Sequence, residues 1–106
     1  MSVVDRVIEA LNAQDLDAFV DCYAEDATIE DGYDTVGARG RDQLRSRYEA
    51  MFARYAAIRV EPLAPRIEVG EFVVQHERVS GRAGHEEHIA VYLVRDELIV
   101  RERLLA

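Results

Sequence analysis

The sequence predicts an α+β fold in which helices pack on one face of an antiparallel sheet. Three stretches with apolar residues at helical spacing lie in the first half of the 106-residue chain. After residue 57 the pattern changes to the alternation and turn signals of strands. This segregation of helices and strands favours α+β over alternating β–α–β units. We expect residues 1–106 to form a single domain.

The helices are indicated by apolar stripes and by capping residues. The stripes are Val4, Val7, Ile8 and Leu11; Leu16, Phe19, Val20 and Tyr23; and Leu44, Tyr48, Met51, Phe52 and Tyr55. Ser2, with Asp5 three residues later, resembles a capping box at the start of the first helix. Asp15 is the expected N-cap of the second helix, and the third begins at about Asp42.

One short strand is expected among the helices, where Thr28 and Ile29 supply β-propensity. Residues 31–40 contain three glycines and are expected to form an irregular loop. The expected strands are 27–30, 58–60, 66–69, 72–80, 85–94 and 97–104, with turns at 70–71 and 81–84. Pro62 and Pro65 are typical of an edge strand or a bend.

Charge and cysteine content exclude several classes of protein. The chain has 13 Lys and Arg against 21 Asp and Glu, a net charge of −8, which argues against nucleic acid and anionic membranes as partners. One cysteine excludes an internal disulfide. Residues 1–10 include Asp5 and Glu9 and do not resemble a signal peptide, and no apolar run is long enough to cross a bilayer. We therefore expect a cytoplasmic protein.

Both faces of the strand at 85–94 are apolar toward its end. Ile89, Val91 and Leu93 share one face, whereas Ala90, Tyr92 and Val94 share the other. The helices can cover one face, and a second subunit would cover the other. The sequence thus predicts a homodimer. The alternative is a monomer whose own helices or loops cover both faces.

Four segments together carry a family resemblance: 10–17 (ALNAQDLD), 23–31 (YAEDATIED), 37–41 (GARGR) and 94–103. In their order and spacing they resemble the nuclear transport factor 2-like superfamily, and within it the SnoaL-like and ketosteroid isomerase branches. The resemblance implies a cone, in which a strongly curved antiparallel sheet wraps around three N-terminal helices and leaves an apolar pocket at its open end. It also implies a small apolar or carbonyl-containing ligand and no cofactor. Members include isomerases, cyclases, dehydratases and binding proteins, so the fold alone does not decide the function.

Asp31 is the candidate catalytic residue that this resemblance implies. In the isomerases a carboxylate just after the first strand moves a proton next to a carbonyl, and Asp31 matches that position. Their two oxyanion donors fall at Val7 and around residues 88–90, where neither donor is present, so steroid isomerase activity is not expected. The alternative role for Asp31 is to cap the loop beside Gly32.

Aromatic residues and one histidine are expected to line the pocket. They are Phe19, Tyr23, Tyr33, Tyr48, Phe52, His88 and Tyr92. Core packing with a satisfied hydroxyl is the alternative for each tyrosine. No metal site is expected, because His85 and His88 would point to opposite faces of a strand. Arg101 and Arg103 are expected to share a face with Ile99, opposite Glu102, and to pair with carboxylates across strands.

Two functions from different classes follow. The first is a domain that binds a small apolar ligand in the cone pocket. The second is a small acid/base enzyme of the isomerase, cyclase or dehydratase type, with Asp31 as general base. The two differ in whether Asp31 lines a cavity and meets a hydrogen-bond donor there.

Overall fold

The computed structural model describes residues 1–32, 35–82 and 84–106 and confirms the α+β class. The helices are α1 (Val3–Ala13), α2 (Leu16–Asp21) and α3 (Gly40–Arg54). The strands are β1 (Tyr23–Asp31), β2 (Thr35–Arg39), β3 (Arg59–Pro62), β4 (Ile67–Val69), β5 (Phe72–Arg82), β6 (Gly84–Arg95) and β7 (Leu98–Leu105). The helices pack against a curved, unclosed sheet, which is the expected cone.

The described strands form one sheet in the order β2-β1-β7-β6-β5-β3, with β4 paired to β5. β1 and β7 run parallel, and the other ladders are antiparallel. β3 ends at Pro62 and lies at the edge of the sheet, as the proline indicated. The helices contact mainly β1, β2, β3 and β7, which leaves space beneath the inner face of β5 and β6.

The predicted helix caps are confirmed. The Ser2 hydroxyl accepts a hydrogen bond from the Asp5 backbone N–H (3.2 Å), and the Asp5 carboxylate accepts one from the Ser2 backbone N–H (3.2 Å). The Asp15 carboxylate accepts from the backbone N–H of Ala18 at 3.1 Å. At the other end of α1, the Asn12 amide bonds both backbone groups of Val60, at 2.7 and 2.9 Å, and fixes α1 against β3.

Two predictions about irregular segments were wrong. The expected loop at 31–40 contains β2, which pairs with β1 and buries Ala38. The glycines of this segment have low β-propensity and predicted a loop, but β2 is stabilised by its hydrogen bonds to β1. The connection between β5 and β6 is also shorter than the expected turn at 81–84, because β5 continues through Gly81 to Arg82. Ala83, within that predicted turn, lies outside the described residues.

The core lies where α1, α2 and α3 meet the inner face of the sheet. Phe19 is at its centre, with ring centroids 4.3 Å from Tyr48 and 5.2 Å from Tyr23. Cys22 is buried beside them as a small side chain, and its thiol donates to the Ala18 carbonyl. Within the described ranges, no helix has the length and apolarity needed to span a membrane.

Candidate functional site

A cavity of about 690 Å³ lies between the helices and the inner face of the sheet. Its walls are largely apolar: Val7, Ile8, Leu11, Met51, Ile58, Val60, Val79 and Leu104. The edge of the cavity that faces solvent, called the rim below, consists of Asp31, Arg47, Arg82, Glu86 and Glu87. Polar side chains also line it at depth, where the sheet covers them from water.

The deep lining side chains are those of Tyr23, Glu77, His88, Tyr92 and Glu102. Together with Gln75, which is buried behind them and hydrogen-bonds to Glu77, they form a group that we call the buried polar cluster. Alternation along β5 turns Val73, Gln75, Glu77 and Val79 toward the interior. Cross-strand pairing places His88 opposite Glu77 and Tyr92 opposite Glu102. Four neighbouring strands, β1, β7, β6 and β5, thus bring the cluster together on one face of the sheet.

Glu77 is the central acceptor of the buried polar cluster. Its Oε2 accepts hydrogen bonds from Gln75 Nε2 (2.6 Å) and from Tyr92 Oη (2.7 Å). Its Oε1 lies 2.8 Å from Nε2 of His88. Three donors from two strands hold the carboxylate in place, and its side chain is only 3% exposed.

Glu102 carries the second buried carboxyl group. Its Oε1 accepts a 2.6 Å hydrogen bond from the hydroxyl of Tyr23. Burial raises the pKa of Glu102 to about 7, and the neighbouring charge of Glu77 acts in the same direction. The hydrogen bond from Tyr23 opposes this shift, as does the positive charge of Arg47. Glu102 therefore changes its protonation near neutral pH.

The buried tyrosines are held in the neutral form. Burial raises the pKa values of Tyr23, Tyr48 and Tyr92, and the charge of Glu102 raises all three further. The hydroxyl groups of Tyr23 and Tyr92 both donate hydrogen bonds to carboxylate oxygens. Tyr23 and Tyr92 therefore act as hydrogen-bond donors to the two buried carboxyl groups and not as bases.

A β-bulge in β7 brings Glu102 into the cavity. Val94 pairs with Ile99 and Leu93 with Arg101, so Val100 is an extra residue in β7. As a result, Ile99 and Glu102 both point inward, three residues apart. The sequence-based assignment of Glu102 to the face opposite Ile99 was wrong, because simple alternation does not include the bulge.

Arg101 and Arg103 lie on the outward face of β7, so the expectation that they share a face with Ile99 was wrong as well. Their expected pairing with a carboxylate on another strand is observed. Arg101 and Arg103 both bind the Glu30 carboxylate, Arg101 Nε at 2.7 Å and Arg103 Nε at 3.0 Å. Their hydrogen bonds lower the pKa of Glu30. The predicted cross-strand pairing of these arginines is therefore confirmed.

Asp31 lies at the rim and not in the buried polar cluster. Its two carboxylate oxygens accept from the Arg47 guanidinium at 3.2 and 3.3 Å. The Asp31 side chain is 44% exposed and that of Arg47 is 25% exposed. Arg47 forms this ion pair beside the cavity. The pair places one charge of each sign at the entrance.

The structure brings together most of the residues proposed from the sequence for the site. Asp31, Phe19, Tyr23, Tyr48, His88 and Tyr92 line the cavity. Phe52 does not line it, because its ring packs behind Phe19 and Tyr48 at centroid distances of 6.4 and 6.3 Å. Tyr33 lies outside the described residues.

The sequence analysis missed Gln75, Glu77 and Glu102. The one available signal for Glu77 was its place between Gln75 and Val79 on an alternating strand. Alternation alone equally allows the opposite register, with His76 turned inward, but His76 faces outward and lies 2.8 Å from Glu87. Among the described residues, no group of three or more metal-ligating side chains is placed to hold an ion.

Comparisons with known proteins give one family and many structures of the same fold. The family described as SnoaL-like domain matches residues 4–102. A cystatin-fold protein from Novosphingobium aromaticivorans is 26% identical, with a TM-score of 0.89 over 100% of this chain and 99% of that one. No curated protein matches the sequence.

Two further structures share the fold at lower identity. A putative polyketide cyclase from Sinorhizobium meliloti is 21% identical, with a TM-score of 0.84 over 96% of this chain and 92% of that chain. A protein from Catenulispora acidiphila with a ketosteroid isomerase-like fold, in complex with trimethylamine, is 16% identical. Its TM-score is 0.80 over 98% of this chain and 84% of that chain.

Proposed function

The chain belongs to the family of SnoaL-like domains, and from this premise we propose that it binds one small, largely apolar molecule in its cavity. The observation that carries the proposal is the cavity itself, whose apolar walls lead to the buried polar cluster. A volume of about 690 Å³ is within the range of small-molecule sites, roughly 300–1,000 Å³. Mainly apolar walls with a few fixed polar groups are the usual composition of such sites.

The buried polar cluster gives the ligand an orientation. An apolar body gains free energy by contacting the walls, whereas a carbonyl or hydroxyl group needs hydrogen-bond partners once it leaves water. Glu102, near its pKa at neutral pH, can donate or accept such a bond, and His88 lines the same cavity. We therefore place the polar group of the ligand at Glu102 and His88, with its apolar part toward α1 and α3.

Two similar structures support a small-molecule ligand. One is described as a putative polyketide cyclase and the other as a complex with trimethylamine. Both are under 25% identical to this chain, so they support the class of ligand and not its identity.

A thermal-shift comparison tests the proposal with two isosteric probes, 1-tetralone and tetralin. We expect 1-tetralone to raise the melting temperature more than tetralin does, because only the ketone can accept a hydrogen bond from the buried polar cluster. Leu104→Phe should reduce the shift at least several-fold, because Leu104 lines the cavity and the larger ring fills its space.

The matched control is Leu105→Phe, the neighbouring residue, which pairs with Ile89 and does not line the cavity. Its shift with 1-tetralone should equal that of the wild type. Equal shifts for both leucine variants, or no shift with either probe, would count against a ligand in the cavity.

Acid/base catalysis with Asp31 as general base is the second candidate function. The favouring observation is that Asp31 lines the cavity at the end of β1 and has a charged partner, Arg47. The same probe screen on Asp31→Asn tests its part in the site. If every probe shifts the variant and the wild type equally, Asp31 is not part of it.

We also propose a homodimer and a cytoplasmic location. The dimer is supported by the outer face of β5 and β6, where an outer apolar stripe remains partly exposed: Phe72, Val74, Ile89, Val91 and Leu93. Among the described residues, no helix of the chain covers this stripe. Cell fractionation with an antibody to the chain tests the location, and recovery in the membrane pellet would contradict it.

A further inference from the structure

Two histidine–glutamate pairs join β5 to β6, and they differ in burial. His88 Nε2 and Glu77 Oε1 are 2.8 Å apart, and their side chains are 13% and 3% exposed. His76 Nε2 and Glu87 Oε1 are also 2.8 Å apart, but their side chains are 44% and 53% exposed. Because water competes only weakly at the first pair, its electrostatic effect is the stronger. The second pair provides a control of the same chemistry.

Glu77 fixes the orientation of the His88 ring. A carboxylate that accepts from Nε2 keeps the proton of the neutral ring on that nitrogen, which leaves Nδ1 as the acceptor. Gln75 and Tyr92 hold the other oxygen of Glu77, so the carboxylate cannot rotate away. No group among the described residues is hydrogen-bonded to Nδ1 of His88, and the side chain lines the cavity.

Glu102 provides a group of the opposite kind in the same cavity. It is 5% exposed, and Tyr23 occupies one of its two oxygens. Its other oxygen has no hydrogen-bond partner in the described parts of the chain. Near neutral pH a large fraction of Glu102 carries a proton, because its pKa is about 7. The cavity therefore holds a proton acceptor and a proton donor together.

Resting on the proposed function, we propose that His88 is the proton-accepting residue of the cavity, positioned by Glu77, and that Glu102 donates a hydrogen bond to the oxygen of the bound molecule. The substrate class is a neutral molecule that has a weakly acidic C–H bond and an oxygen that becomes negative when the proton leaves. This proposal assigns the proton transfer to the buried polar cluster and not to Asp31 at the rim. Asp31 is less suited, since Arg47 holds both its oxygens and water reaches it.

A probe of this class is 5-nitrobenzisoxazole, which is neutral, planar and small enough for the cavity. His88 Nδ1 takes the proton from C3, and the electrons of that C–H bond form the nitrile. The N–O bond breaks, and its electron pair leaves on the phenolate oxygen, which accepts a hydrogen bond from Glu102. The product is a nitrophenolate that absorbs visible light. No oxidant or cofactor takes part in this step.

The first experiment measures the rate of this ring opening for the wild type, His88→Gln and His76→Gln. General-base catalysis typically contributes roughly 10²–10⁴-fold, so we expect His88→Gln to lose at least about 100-fold. His76→Gln should keep the rate of the wild type, because His76 lies outside the cavity. Equal rates for the two histidine variants would overturn the proposal.

The second experiment tests the positioning role of Glu77 and does not require a His88 variant to fold. The rate of the wild type should follow a bell-shaped pH profile: it rises as His88 loses its extra proton, and it falls above about pH 7, where Glu102 loses the proton that it donates. In Glu77→Gln the rising limb should move to lower pH and the maximum rate should fall about tenfold, because the neutral amide does not stabilise the imidazolium. A lower maximum with an unchanged rising limb would show a structural role only and contradict the assignment.

Binding must be measured separately from the reaction. The unreactive isostere 5-nitrobenzotriazole, titrated calorimetrically, reports on binding alone. Absence of binding would overturn both the proposed function and this inference. Binding to the wild type with no catalysed ring opening would overturn the inference and leave the proposed function standing. A loss of rate in Asp31→Asn as large as in His88→Gln would return the chemistry to the rim.

Discussion

Glu102 and Glu77 are two buried carboxyl groups in one small domain, and their environments differ. Glu77 accepts three hydrogen bonds, whereas Glu102 accepts one and is raised in pKa by burial and by the charge of Glu77. A proton that Glu102 retains only in the folded state links folding to pH. Because the folded state binds this proton more tightly, stability from this group is largest at low pH and decreases as pH rises toward 7.

This linkage predicts how Glu102→Gln affects stability. The pKa of Glu102 is about 7, against a usual value of 4.5. Replacing the carboxyl by a neutral amide removes the cost of burying a charge above pH 7. The free energy of unfolding of the variant minus that of the wild type should be about 2–3 kcal/mol larger at pH 8 than at pH 5, because only the wild type loses stability over this range.

Urea denaturation of both proteins at the two pH values measures this difference. Glu25→Gln is the control, because Glu25 is exposed on β1 and its variant should track the wild type at both pH values. A Glu102→Gln difference that is the same at pH 5 and pH 8 would contradict the raised pKa.

At the level of single residues, the sequence identified His88, Tyr23 and Tyr92 but not the carboxylates that bind them. Glu77 and Glu102 are of a charged residue type that is rarely buried, so residue type alone predicts that both side chains face solvent. Only the ladder between β5 and β6 and the bulge in β7 turn them inward. Such information lies in long-range pairing and not in local sequence pattern.

At the level of elements, a glycine allows β5 to lie close to the segment before β3. Gly81 has a positive φ of +80°, and a Cβ there would lie 2.0 Å from the backbone oxygen of Ala57. β5 can therefore approach the segment before β3 only because no side chain is present. Gly70 has a similar φ of +59°, but nothing lies within 4 Å of the position of its Cβ.

The two glycines make a matched pair for mutagenesis. Gly70→Ala should cost about 1–2 kcal/mol, because it adds only the strain of a left-handed backbone conformation. Gly81→Ala should cost at least about 3 kcal/mol, because the same strain is joined by a collision with the Ala57 backbone. Chemical denaturation measures both costs, and equal values would contradict the close approach.

Elements with strong local signals were the most predictable. The three helices and the caps at Ser2 and Asp15 follow from side chains that bond to backbone groups within a few residues. β2 was missed because its stability comes from pairing with β1 and because the glycines within and around it suggested a loop. The match of the SnoaL-like family to residues 4–102 confirms the resemblance drawn from loose segments.

At the level of the molecule, the sheet separates two surfaces with different roles. Its inner face carries the cavity and the buried polar cluster, and its outer face carries the outer apolar stripe. The cone follows from segregated helices and strands. The polar side chains that line the cavity depend on the pairing of β5 with β6 and on the bulge in β7, which no local pattern specifies.

The proposed dimer gives a prediction for the outer face. Val91→Lys places a charge at the centre of the outer apolar stripe and should weaken the dimer at least tenfold, about 1.4 kcal/mol. Val36→Lys is the control, because Val36 is exposed on β2 and lies apart from the stripe. Sedimentation over a range of concentrations measures both variants. A wild type with the mass of one chain at all concentrations would contradict the dimer.

Backbone amide NMR of the wild type during a titration with 1-tetralone tests most directly where a ligand binds. We predict that the largest chemical-shift changes occur at His88 and Glu102 and on the neighbouring inner-face positions of β5. Small changes are predicted at Val91 on the outer face. Changes confined to Asp31 and the rim, or larger at Val91 than at Glu102, would contradict binding at the buried polar cluster.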